Sequence, residues 1–248
     1  MSLILLFPHP ESGQPAGKAL VLEGSAATTA LTTSGTSHTI NLPTGIQAGE
    51  LIYIAGASTN RGVNGLPSFP AGWQGESGAS DSGESLNTFA YWIVATGSEG
   101  SSITVTTTGN AQIIAVAARF SGAAKTTAKF SAGTSGTGNV GSSQASFNIA
   151  QDFITGLKSN SGALVFVAAA SDKTVSSSDG DLSSVGGVNN STLSGHLYYD
   201  GNTNASGNPQ YDFTMSAAAD FDYRVVEGVT AKGASAAAKM FIVFVSYL

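Results

Sequence analysis

Cysteine is absent from the 248 residues, which removes disulfides, thiolate nucleophiles and cysteine-ligated zinc together. Charge is scarce too. Only 10% of residues are Asp, Glu, Lys or Arg, against about 25% in an ordinary soluble domain, so the surface bonds through Ser, Thr and Asn rather than through ions. The formal net charge is -6, and the 10 basic residues are scattered singly. Without a Lys/Arg cluster to neutralise phosphates, nucleic acid is not an expected partner. Long apolar runs are missing as well. No segment reaches the roughly 18 consecutive apolar residues that cross a bilayer as a helix. The opening run, Leu3 to Phe7, has no basic residue before it and no small-residue cleavage pattern after it, so neither a signal peptide nor a membrane span is expected there.

What is present is β pattern. From Lys18 onward the chain is a succession of short runs such as "TTALTT", "SHTINLP", "ELIYIAGAS", "FAYWIVATG", "SITVTTTG", "ALVFVAAAS" and "YRVVEGVT", bounded by Gly, Asn, Ser or Asp. Such runs, rich in β-branched and aromatic residues, predict an all-β chain: one large antiparallel β-sandwich, jelly-roll-like, of about a dozen strands over residues 18–248. Ala150 to Gly162 is the best place for a short helical turn. Residues 1–17 predict an extended N-terminal arm. In it Leu3, Ile4, Leu5, Leu6 and Phe7 form an apolar strand on a leash stiffened by Pro8, Pro10 and Pro15. The arm either folds back as an edge strand or docks on a partner by adding a strand to its sheet.

Three runs, "ELIYIAG", "ALVFVAAAS" and "MFIVFVSYL", are apolar on both faces, so each needs cover on both sides. By contrast "SITVTTT" alternates, which puts Ile103 and Val105 inward and Thr104 and Thr106 toward solvent.

Few residues invite chemistry. The histidines are His9, His38 and His196, and no G-x-S-x-G turn accompanies them, which argues against a Ser-His hydrolase. Carboxylates gather in turns (Glu76, Asp81, Glu84, Glu99) and in the second half (Asp172, Asp179, Asp181, Asp200, Asp212, Asp220, Asp222). A glycosidase would need two of them about 5–10 Å apart in an aromatic-lined cleft, and the 2 Trp read as core residues. Ser171 to Ser184 lacks the spacing of a calcium loop, and Gly133 to Ser143 lacks the Lys-Ser/Thr ending of a phosphate loop. No metal or cofactor is called for. Thr96 to Ser102 reads as a turn, with Gly97 and Gly100 permitting the geometry and Glu99 accepting local amides. Asp200–Gly201 and Asn208–Pro209 read as turn formers at loop tips. That leaves Tyr198, Tyr199, Tyr211, Phe221 and Tyr223 as loop aromatics able to stack on sugars.

The stretch "LPSFPAGWQGESGASDSGESLNTFAYWIVATGSEGSSITVTTTGNAQIIAVAARFSGA" combines five elements. They are a Pro-x-Gly-Trp element, a polar loop, an aromatic strand ending in "ATGSE", an alternating "ITVT" strand and an apolar strand closing on "RFSGA". With the upstream "LPTGIQAGELIYIAGAS" it resembles a β-sandwich module of structural proteins in tailed bacteriophages, over Leu42 to Ala123. The resemblance implies a non-enzymatic virion component, in capsid decoration, head fibre or minor tail protein, assembled in the host cytoplasm. Its implied partners are other capsid or tail proteins and further copies of itself. A receptor- or carbohydrate-binding module contacting a host surface glycan is the alternative. No catalytic residue is carried over.

Overall fold

The computed structural model describes residues 20–60, 62–79, 86–123, 135–139, 144–149, 161–169, 173–177, 182–203, 211–219 and 221–230. The arm, the final "MFIVFVSYL" run and all but the last two residues of the helical-turn candidate lie outside them; Ser161 and Gly162 open a strand. The described chain is all-β, as expected. It contains β1 (Val21–Leu22), β2 (Ala27–Ala30), β3 (Gly35–Asn41), β4 (Leu51–Thr59), β5 (Gln74–Ala79), β6 (Leu86–Val94), β7 (Ser102–Ala111) and β8 (Ile113–Ser121). The second half contains β9 (Ser135–Asn139), β10 (Gln144–Ile149), β11 (Ser161–Ala169), β12 (Val175–Ser177), β13 (Ser183–Asn189), β14 (Ser194–Thr203), β15 (Tyr211–Ala219) and β16 (Phe221–Thr230). Among the described residues no helix is long and apolar enough to cross a membrane.

Among the described residues all pairings are antiparallel, and they form four layers rather than two. Two inner sheets lie face to face. One has the order β2-β8-β4-β6-β5, with β1 continuing the β2 edge along β8, and the other has the order β13-β14-β11-β16-β9. An outer pair, β3-β7, covers the first inner sheet, and an outer sheet β10-β15-β12 covers the second.

This arrangement is what the doubly apolar runs demand. On β4, Leu51, Tyr53 and Ala55 enter the inner core while Ile52 and Ile54 enter the outer one. On β11, Leu164, Phe166 and Ala168 face inward while Val165 and Val167 face the other outer core. Each fully buried large side chain contributes about 1.5–3 kcal/mol, so a strand buried on both faces anchors two layers at once. The alternating β7 holds Val105 in the outer core and leaves Thr104 and Thr106 exposed, as its pattern predicted.

The strand orders also match each other. Written from the same edge, β2-β8-β4-β6-β5 and β9-β16-β11-β14-β13 place successive strands of the chain in the same seats, and β3-β7 corresponds to β10-β15. Only β1 and β12 fall outside the match. The described residues therefore form two topological repeats whose inner sheets share one core. The repeat extends to detail. In one half Tyr91 pairs with Ile54 and Gly75; at the equivalent seat His196 pairs with Val167 and Gly187.

Candidate functional site

The conspicuous residues of the first repeat are spent on turns and packing. Pro70 and Trp73 close a turn through the Trp73 N–H and the Pro70 carbonyl at 3.3 Å, and Gly72 supplies its φ of 94°. Phe69, beside it, stacks on Tyr91 with ring centroids 3.9 Å apart and touches Trp73 and Phe89. Glu99 closes the Thr96–Ser102 link. Its carboxylate accepts from the Thr96 N–H, from the Thr96 hydroxyl at 2.8 Å and from the Gly97 N–H at 3.0 Å. Burial works to raise the Glu99 pKa, but these hydrogen bonds and that from its own N–H together hold it below the usual value. Gly97 and Gly100 have φ of 89° and 76°. The link is a turn.

The aromatic candidates divide. Tyr198 lies on β14, 4% exposed, with its hydroxyl donating to the Val175 carbonyl at 3.0 Å. Its pKa is pushed up to about 12, by burial against a smaller opposing effect of a backbone hydrogen bond. Tyr211, on β15, is fully buried in the same outer core. These two are corrected from loop contacts to core residues. Asp200–Gly201 is not the expected turn: β14 runs through both to Thr203. A register shift opposite Ser161–Ala163 accommodates it. Tyr199 is half-buried and packs on Phe120, centroids 5.5 Å apart. Phe221 and Tyr223 are strand positions on β16, paired with Ala169 and Val167. The arm residues Leu3, Ile4, Leu5, Leu6 and Phe7 and the Asn208–Pro209 pair lie outside the described residues. The first described residue, Leu20, is fully buried, and its N–H reaches the Gly201 carbonyl at 3.4 Å.

One pair escaped the sequence. Ser184 Oγ lies 2.7 Å from His196 Nε2 across the β13-β14 hairpin, and the imidazole stacks on Tyr198 at 4.3 Å. A cavity of about 170 Å³ adjoins the ring, lined by Thr174, Val175, Asn189, Ser194 and the backbone around Gly187. Only the strand register, which brings residues 12 apart together, exposes this pair. Gly187 leaves room for Nδ1, since a Cβ there would come within 2.8 Å of it. Burial lowers the His196 pKa. Among the described residues no group of three or more His, Asp or Glu could hold a metal.

His38 is buried on β3, in the first outer sheet. Its Nε2 lies 3.0 Å from Thr107 Oγ1, and that hydroxyl donates to the Gly109 carbonyl at 2.8 Å, which leaves its oxygen to accept from an Nε2–H. Burial lowers the His38 pKa, against a smaller raising effect of the Gly35 carbonyl. The unfolded chain therefore binds a proton that the folded chain resists. Stability is expected to fall as pH drops below about 6.5 toward the lower folded value, by at most about 1.4 kcal/mol per pH unit for this group. His38→Gln should flatten that slope in urea titrations at stepped pH. An unchanged slope would show that His38 takes no part in it.

No family model, curated protein or solved structure matches the chain.

Proposed function

We propose that the chain is a non-enzymatic structural component of a tailed-bacteriophage virion, acting by assembly with itself and with capsid or tail proteins. The observation that supports this reading is how the residues of the phage-like stretch are used. The Pro70–Trp73 turn, the aromatic stack on Tyr91, the Glu99 turn and the Glu50–Arg119 ion pair, 2.6 Å long, each serve the fold and leave no group aimed at a substrate. An exposed face of Thr104 and Thr106 beside Ser37 and Thr39 suits a particle surface that is hydrated without being charged. The receptor- or carbohydrate-binding reading loses two of its five aromatics to burial and is not favoured.

Quantitative mass spectrometry of purified particles of the phage that encodes the chain is the test. The chain should be present at a fixed copy number per particle. Removal of residues 1–16 should lower that number while near-UV circular dichroism stays unchanged, because the described core begins at Leu20. Particles free of the chain would end the proposal, and unaltered incorporation of the truncated form would remove the arm from it.

A further inference from the structure

We infer that the inner sheet face of each repeat is a pairing surface for an equivalent module, and that a second copy of this chain fits it by exchanging repeats. The contacts across the inner core carry the argument. Strand β4 lies on its own counterpart, β11. Strand β8 lies on β14, and the counterparts of those two, β16 and β6, also lie on each other. That is the isologous pattern of a two-fold dimer, in which each partner offers the same surface. Here both partners belong to one chain. Tyr53, Val116 and Phe120 from one repeat meet Leu164, Phe166 and Leu197 from the other, an apolar face that no single repeat could leave in water.

What favours a chain's own second repeat over another chain's is only the covalent connection from Ala123 to Ser135, a tether that raises the local concentration of the attached module. The tether has a long way to go. Strand β13 packs over β2 and β8, and β16 packs over β6, so β9, beyond β16, lies toward the β5 edge, three seats across from β8. With strands about 4.8 Å and sheets about 10 Å apart, the span is about 17 Å. Three residues between Ser121 and Ser135 reach at most about 14 Å. A tether that short forbids folding back while leaving both faces intact, and the faces then find each other in another copy.

The experiment removes residues 124–133 from the full chain and measures mass by light scattering during gel filtration. The expected result is a doubling of chain number relative to the parent, persisting on dilution to nanomolar concentration, because separation must expose the inner core. A deletion variant that keeps the parent's mass and near-UV spectrum overturns the inference, as does a dimer that dilutes into folded monomers. Should the deletion fail to fold, a protease site placed within 124–133 of the otherwise intact chain decides. Two pieces that co-elute after cleavage and exchange with a tagged, cleaved second copy support the inference, and pieces that separate overturn it. The inference goes beyond the virion reading: absence from particles would fail that reading and leave the exchange result standing.

Discussion

Glu50→Ala is expected to lower the unfolding free energy by about 3 kcal/mol, the lower end of the cost of breaking a buried ion pair. Removing Arg119 as well should restore part of that loss. Arg119 sits on β8 opposite Ile52, and its Nη1 donates to Glu50 Oε1 at 2.6 Å. The other carboxylate oxygen accepts the Gln47 N–H at 2.9 Å. Both side chains are largely enclosed, at 14% and 10% exposure. Two glycine turns close over the guanidinium. A Cβ on Gly24 would lie 3.2 Å from Nη2 and one on Gly45 3.5 Å from it, and both glycines have positive φ, 68° and 71°. Arg119 Nε is buried without an acceptor, so the cation depends on Glu50. Taking the carboxylate away leaves a largely desolvated charge with no counter-ion, whereas Glu50→Gln with Arg119→Met removes both charges and keeps the volume. Urea unfolding of the two singles and the double gives the coupling directly. Additive single effects would show that solvent already screens the pair.

The sequence made the layers readable where burial writes a period into the chain. Ile52 and Ile54 alternate with Tyr53 and Ala55, all apolar, and a strand of that kind had to lie between two covers. Thr104 and Thr106 alternate with Ile103 and Val105, and β7 was bound to sit outermost. Glu99 between two glycines was legible because a turn is a local object. The repeat was not. Glu50 to Gly56 and Ala163 to Ala169 are buried throughout, but Tyr91 is replaced by His196, and between β5 and β13 only the glycine paired with that seat, Gly75 or Gly187, is kept, so the likeness survives in seats and not in residue types. Tyr198 and Tyr211 were misplaced for a related reason. Asp200–Gly201 has the local chemistry of a turn, and eight residues of pairing between β14 and β11 outweigh it. The Ser184–His196 pair required register, and register is set by both strands and the turn between them.

Phe166→Ala is expected to cost about 3–5 kcal/mol, the usual range for a fully buried phenylalanine, and to lower the stability of both repeats at once. Phe166 is 0% exposed at the middle of β11, in the core that the two inner sheets share. Its ring fills the room left by Gly195, where a Cβ would meet Cζ at 2.5 Å, and Ile114 Cδ1 of the first repeat closes the same spot at 3.2 Å. The cavity left by truncation therefore opens onto both sheets, and neither can collapse into it alone because each is pinned from behind by its own outer core. One cooperative transition, moved to lower urea with unchanged slope, is the expected trace when far-UV and near-UV signals are followed together. The pairing with Gly195 supplies the internal control. Gly195→Ala should be destabilising in the parent, where the new methyl group meets the ring, and much less so beside Phe166→Ala, where the cavity receives it. Two separate transitions, with only the second repeat's shifted, would mean that the inner face is a loose contact between independent sandwiches and not the core that holds them as one.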